Sequence, residues 1–133
     1  MKIAVSKKIP KKLRKVVRAA IEASHAYAPM NVEHIIVRPV RSKTYSGSAS
    51  QFANHALIEI NHTAEDMLDT IFHECFHIHQ YSIGALKQLE KGFLWRGIYI
   101  PLWIYTPLHS IIPFEITAKA YAKKMCRRLA KCE

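Results

Sequence analysis

The stretch "TIFHECFHIHQY", residues 70–81, sets His73, Glu74 and His77 in the spacing His-Glu-x-x-His and adds another histidine at position 79. At about 100° per residue, positions 73 and 77 of a helix lie roughly 40° apart, one turn from each other. Two imidazoles on that face reach a single ion. Glu74 is turned away by about 100°, too far round to be a third ligand, yet able to reach a water held at the ion. Two ligands plus a general base are what metal-assisted hydrolysis needs, and zinc is the ion that suits them. His79 falls about 200° from His77 and points away, so it is expected to serve the structure or to support a ligand from behind rather than to bind the ion.

A five-residue pattern with two free positions also arises by chance, as histidines on the surface of a helix. The neighbouring residues weigh against that reading. Thr63-Ala64-Glu65-Asp66 reads as a capping box, and the helix it opens runs to about Tyr81, stopping before Gly84. Met67, Leu68, Ile71, Phe72, Cys75 and Phe76 make that helix apolar around most of its circumference, so it is expected to be buried. Two imidazoles and a carboxylate inside a buried helix need partners, and a metal satisfies them.

Outward from this helix, "HALIEIN" (55–61) alternates Ala56, Ile58 and Ile60 with His55, Leu57 and Glu59, the period of a half-buried strand. "VEHIIVRPV" (32–40) is rich in β-branched residues and reads as another strand. Between them, "RSKTYSGSASQFAN" (41–54) carries Gly47 among serines and is expected to be a turn or an irregular strand. Together they predict a small, mostly antiparallel sheet of about three strands. Residues 9–27 bring Leu13, Val16, Val17, Ala20, Ile21 and Ser24 onto one helical face, with Pro10 in the first turn and Pro29 beyond the end. A last helix begins near Pro113. The class is α+β, as one domain over residues 1–133.

"FLWRGIYIPLWIYTPLHSIIPF" (93–114) is long and aromatic, but Arg96, Gly97, His109 and the prolines at 101, 107 and 113 interrupt it. A lipid-exposed helix with three prolines would leave backbone groups unpaired, so a buried, pocket-forming connection is expected, with interfacial membrane contact as the minor alternative. The N-terminal residues are basic without an apolar run, so neither a secretory signal nor a membrane span is expected and the cytoplasm is the expected compartment. Cys75, Cys126 and Cys132 form no CxxC pair and fit reduced thiols, unless geometry brings the last two together.

Half of the residues are apolar and 23% are charged, with a net charge of +10. Eight lysines and arginines precede Glu22 and six more lie between Lys119 and Lys131, whereas residues 51–90 hold six acidic residues against Lys87 alone. The basicity belongs to the two terminal helices. It favours either plain solvation or weak, non-specific contact with nucleic acid.

Zinc needs a third protein ligand, for which Glu90, His109 and Glu115 are available. "HECFHIHQY", an aromatic connection, and then "IIPFEITAKAYA" resemble the small single-domain gluzincin (minigluzincin-like) and phage-type HExxH zinc metallopeptidases over roughly residues 30–125. Those families show proline-aromatic-glutamate-x-x-alanine at the start of the next helix, here Pro113-Phe114-Glu115-Ile116-Thr117-Ala118. The resemblance implies a minimal zincin core: N-terminal helix, small sheet, active-site helix and glutamate helix. It implies zinc on His73, His77 and Glu115, and a cleft bounded by strand 55–61, whose edge would take an extended peptide or protein substrate. The residues agree, since Pro113 suits a first turn and Ala118 and Ala122 let that helix approach closely. Tyr81, Tyr99, Tyr105 and His109 are all able to donate to a transition state, and Tyr105 is chosen for its place between the two helices. The leading expectation is a zinc endopeptidase with Glu74 as base. The alternative is a basic nucleic-acid-associated protein with a structural zinc site or a DNA-bound protease.

Overall fold

The computed structural model describes residues 1–40 and 46–132. Strand β1 (Lys2–Val5) leads into helix α1 (Lys11–Tyr27), then β2 (His34–Pro39), β3 (Gly47–Phe52) and β4 (His55–Ile60). Helix α2 (Met67–Ser82) carries the histidine motif. Strands β5 (Leu86–Leu89), β6 (Gly92–Trp95) and β7 (Ile98–Pro101), the short helix α3 (Leu102–Leu108), a 3-10 turn (His109–Ile111) and the long helix α4 (Pro113–Cys132) complete the chain. The α+β class and the three long helices are as expected.

The sheet departs from the expectation. It has four strands in the order β1-β2-β4-β3, and only the β3–β4 pairing is antiparallel. β1 runs parallel to β2 because α1 carries the chain back between them, and β2 runs parallel to β4. At four residues, β1 is too short to show a period. A second, three-stranded antiparallel meander, β5-β6-β7, occupies part of the stretch expected to be a buried connection. Its β6–β7 turn places Arg96 (φ 49°) and Gly97 (φ 85°) in the left-handed region, as a two-residue hairpin of matching twist requires.

One face of the main sheet carries α1 and α2, and α4 packs against α2. Ile35, Val37, Ile58 and Ile60 from the strands meet Val17 and Ile21 of α1, Ile71, Phe72 and Ile78 of α2, and Met125 of α4. Each such large side chain stabilises the fold by roughly 1.5–3 kcal/mol relative to exposure. Ala118 and Ala122 are fully buried, so α4 lies close against α2. The Ser24 and Tyr121 hydroxyls, 2.7 Å apart, tie α1 to α4. Val16, expected inward, is exposed. Cys75 and Cys126 are free thiols. The side chain of Cys132 and residues 41–45, the start of the expected irregular segment, lie outside the described residues.

The capping box does not form. Asn61 Oδ1 accepts from both the amide (3.1 Å) and the hydroxyl (2.7 Å) of Thr63. Thr63 is thereby held in a side-chain turn, so α2 starts later, at Met67, without a side-chain cap. A smaller core of Leu86, Ile112 and Phe114, packed by Phe93, Trp95, Ile104 and Tyr105, joins the meander to the start of α4.

Candidate metal centre

The motif sits in the middle of α2, the helix that touches both the sheet and α4. His73 and His77 project from one face, as their four-residue spacing demands, and Glu115 meets them from the first turn of α4. The Nε2 atoms of His73 and His77 are 3.1 Å apart. Glu115 places one oxygen 2.6 Å from His77 Nε2 and the other 3.3 Å from His73 Nε2. Ligand atoms about 2.0–2.1 Å from a tetrahedral zinc stand about 3.3 Å from one another. The three side chains therefore already converge at coordination size, with all their ligand atoms within 4.8 Å. Two imidazoles and one carboxylate are a donor set that zinc accepts, so the residues fit the group.

Burial would push the Glu115 carboxyl up, but hydrogen bonds from His73 and His77 outweigh it and hold the carboxyl well below the usual carboxylate range. For His77, burial alone would lower the pKa, yet the Glu115 carboxylate and Glu74 raise it. Without metal, this is a buried imidazolium–carboxylate pair. Glu74 itself is 7% exposed, and burial raises its pKa against the smaller opposing pull of His77 and His73.

Gln80 sets the orientation of His77, and sequence reasoning missed it. It is 2% exposed, and its amide nitrogen lies 3.1 Å from both the Phe114 carbonyl and the Thr117 hydroxyl. A carbonyl only accepts, so the Gln80 NH2 faces α4 and its oxygen faces His77 Nδ1 at 2.8 Å. His77 Nδ1 must then carry a proton, which commits Nε2 to the centre. The available signal was a polar residue at i+3 from His77 in an otherwise apolar helix.

A cleft of about 450 Å³ opens over the centre. One wall is the start of β3, from Gly47 to Ala49, and the other is aromatic, with Phe93, Tyr105 and Phe114. Gly47 is required by close approach: a Cβ there would lie 2.6 Å from the Glu59 carbonyl oxygen and 2.6 Å from Thr70 Cγ2. The expected irregular strand is thus a regular one, seated directly on α2. Strand 55–61, expected to offer the cleft an edge, has none to offer: β4 is paired on both sides, to β2 and to β3. Among the described residues, the free edge at the cleft belongs to β3.

Tyr105 and Tyr81 both line the cleft. Burial, reinforced by the carboxylates of Glu74 and Glu115, holds both phenols above their usual range and therefore protonated. Tyr105 is held by stacking on Phe114, with ring centroids 5.7 Å apart. Tyr99 stands elsewhere, donating to the Lys91 carbonyl at 3.3 Å. His109, expected in a non-helical stretch, lies in the 3-10 turn that continues α3, and its Nε2 is 2.9 Å from Glu115. It borders the cluster without joining the three converging ligands. Glu90 is on the β5–β6 turn, away from the cleft lining. His79 points outward, as expected, with Nδ1 2.7 Å from the Pro29 carbonyl, holding the end of α2 to the α1–β2 loop.

No helix among the described residues is long and apolar enough to cross a membrane. Compared with known proteins, the chain matches no family model, no curated protein and no solved structure.

Proposed function

We propose that the protein is a zinc-dependent endopeptidase of the gluzincin kind. The observation that carries this reading is the convergence of His73, His77 and Glu115 beside the buried Glu74, at the floor of one cleft. His73, His77 and Glu115 would hold zinc, which when bound would supply a Lewis acid for activating a water and polarising the scissile carbonyl. Glu74, its pKa raised by burial, is basic enough to take the water's proton and acidic enough to pass it to the leaving amine. The protonated Tyr105 hydroxyl, with Tyr81 as the competing donor, is suited to the negative charge that develops on the carbonyl oxygen. Gln80 keeps His77 in the tautomer that presents Nε2 to the metal. An extended peptide adds to the free edge of β3 beside Gly47 and Ala49, through backbone hydrogen bonds that tolerate many side chains.

The test is cleavage of a mixed peptide pool with and without chelator, beside Glu74→Gln. Cleavage is expected only with metal and only with Glu74 intact, while Glu74→Gln retains fold and zinc. Turnover by the glutamine variant, or metal-loaded protein that cleaves nothing in the pool, would overturn the proposal.

A further inference from the structure

Helix α3 has the sequence LWIYTPL, and none of its seven residues is buried. Trp103 is 76% exposed, and the same stretch leaves Ile98 at 65% and Ile111 at 61%, with Tyr99, Leu102 and Leu108 also exposed. The inward side chains, Ile104 and Tyr105, pack on the Phe114 cluster. What remains is exposed apolar surface along β7 and α3, with the β6–β7 turn at one end and Lys91, whose carbonyl accepts from the Leu102 amide, at the other. Apolar exposure concentrated in this way marks a contact surface.

Charge identifies the contact. Residues 85–111 carry Lys87, Lys91 and Arg96 against Glu90 alone. Arg96 stands at the hairpin tip, over the Trp95 ring at 5.2 Å. A second copy docked here about a two-fold axis would set these cations against themselves. An anionic surface complements them. Exposed tryptophan and tyrosine are the side chains that settle at the headgroup level of a bilayer, and basic residues beside an apolar face strengthen binding to anionic lipid.

We propose that the flank formed by β7 and α3 docks on an anionic bilayer surface, with Trp103, Ile98 and Ile111 entering the interface and Arg96 and Lys91, at the two ends of β6, among the headgroups. The cleft adjoins this surface through Phe93, Tyr105 and His109, so docking would bring the candidate centre close to the membrane surface. The inference does not depend on the metal reading.

The experiment is vesicle flotation of the full chain with roughly 30% anionic lipid, beside neutral vesicles, with Trp103 emission followed in a Trp95→Phe background. Flotation with anionic but not neutral vesicles, with a blue-shifted emission, is expected. Trp103→Ser with Ile111→Ser should weaken it by about tenfold or more, and Lys91→Glu with Arg96→Glu should remove its salt sensitivity. Both pairs lie on exposed residues, and circular dichroism verifies that each variant is folded. No flotation of the unmodified protein would overturn the proposal. So would flotation unchanged in both variants, or a dimer in light scattering that Trp103→Ser dissociates.

Discussion

Replacing Gln80 by methionine keeps the side chain's length and removes all three of its hydrogen bonds. Thr117 retains its own contact to the Pro113 carbonyl at 3.0 Å, so the group left in difficulty is His77 Nδ1–H, buried with no other partner. An orphaned buried donor costs about 1–3 kcal/mol. The ring can escape by losing the Nδ1 proton and keeping the one on Nε2, but Nε2 is the atom turned toward Glu115 and the centre. Zinc must then restore the binding tautomer and meet the same cost, which corresponds to a loss of roughly 5- to 150-fold in affinity. That range overlaps the roughly 10- to 100-fold typical when a group behind a metal ligand is removed. Chelator competition at neutral pH measures the affinity, and nitrogen NMR of the His77 ring reads the tautomer directly. Gln80→Glu keeps an acceptor for Nδ1–H and is expected to recover most of the zinc affinity, although it loses the bonds to α4. If Gln80→Met lowers stability but leaves zinc affinity within about twofold, the residue only packs α2 against α4 and the tautomer argument is wrong.

Glu115→Ala is expected to weaken zinc binding by at least roughly tenfold, while His109→Ala leaves the ion in place; metal analysis showing the reverse would move the third ligand to the 3-10 turn. In the metal-free protein the raised His77 pKa contributes stability that is complete below its unfolded value and lost as pH rises through the folded one. The lowered Glu115 pKa contributes stability that is lost only as pH falls through its depressed value. The metal-free melting temperature should therefore fall above about pH 6.5. Zinc uptake near that pH should release about one proton per ion, seen as a buffer-dependent binding enthalpy; no buffer dependence would refute the imidazolium assignment. Gly47→Ala must push β3 away from the Glu59 carbonyl and Thr70, lowering unfolding free energy by about 1–3 kcal/mol; an unchanged denaturation midpoint would mean that the close approach is not real.

The sequence by itself determined what local geometry can determine. A four-residue spacing places His73 and His77 on one face of any helix, and the apolar circumference of residues 67–78 requires that helix to be buried. Pro113 starts α4 with Glu115 in its first turn and two alanines on the inward face, without reference to the rest of the chain. Tertiary structure decided the matters in which distant segments compete for the same partners. The four residues of β1 show no period, and only pairing with β2 makes them a strand. Strand β4 has a half-buried pattern whether it lies at an edge or inside, so its loss of a free edge to β3 depended on the order of strands in the sheet. The 93–114 stretch reads as one aromatic, apolar connection interrupted by Arg96, Gly97, His109 and three prolines. It became a meander and a helix because only some of its side chains can fit around Phe114, and the others were left facing outward. Gln80 looked like one more polar residue on α2. Its role appeared only when the Phe114 carbonyl, 34 residues away along the chain, arrived to fix which end of its amide faces His77.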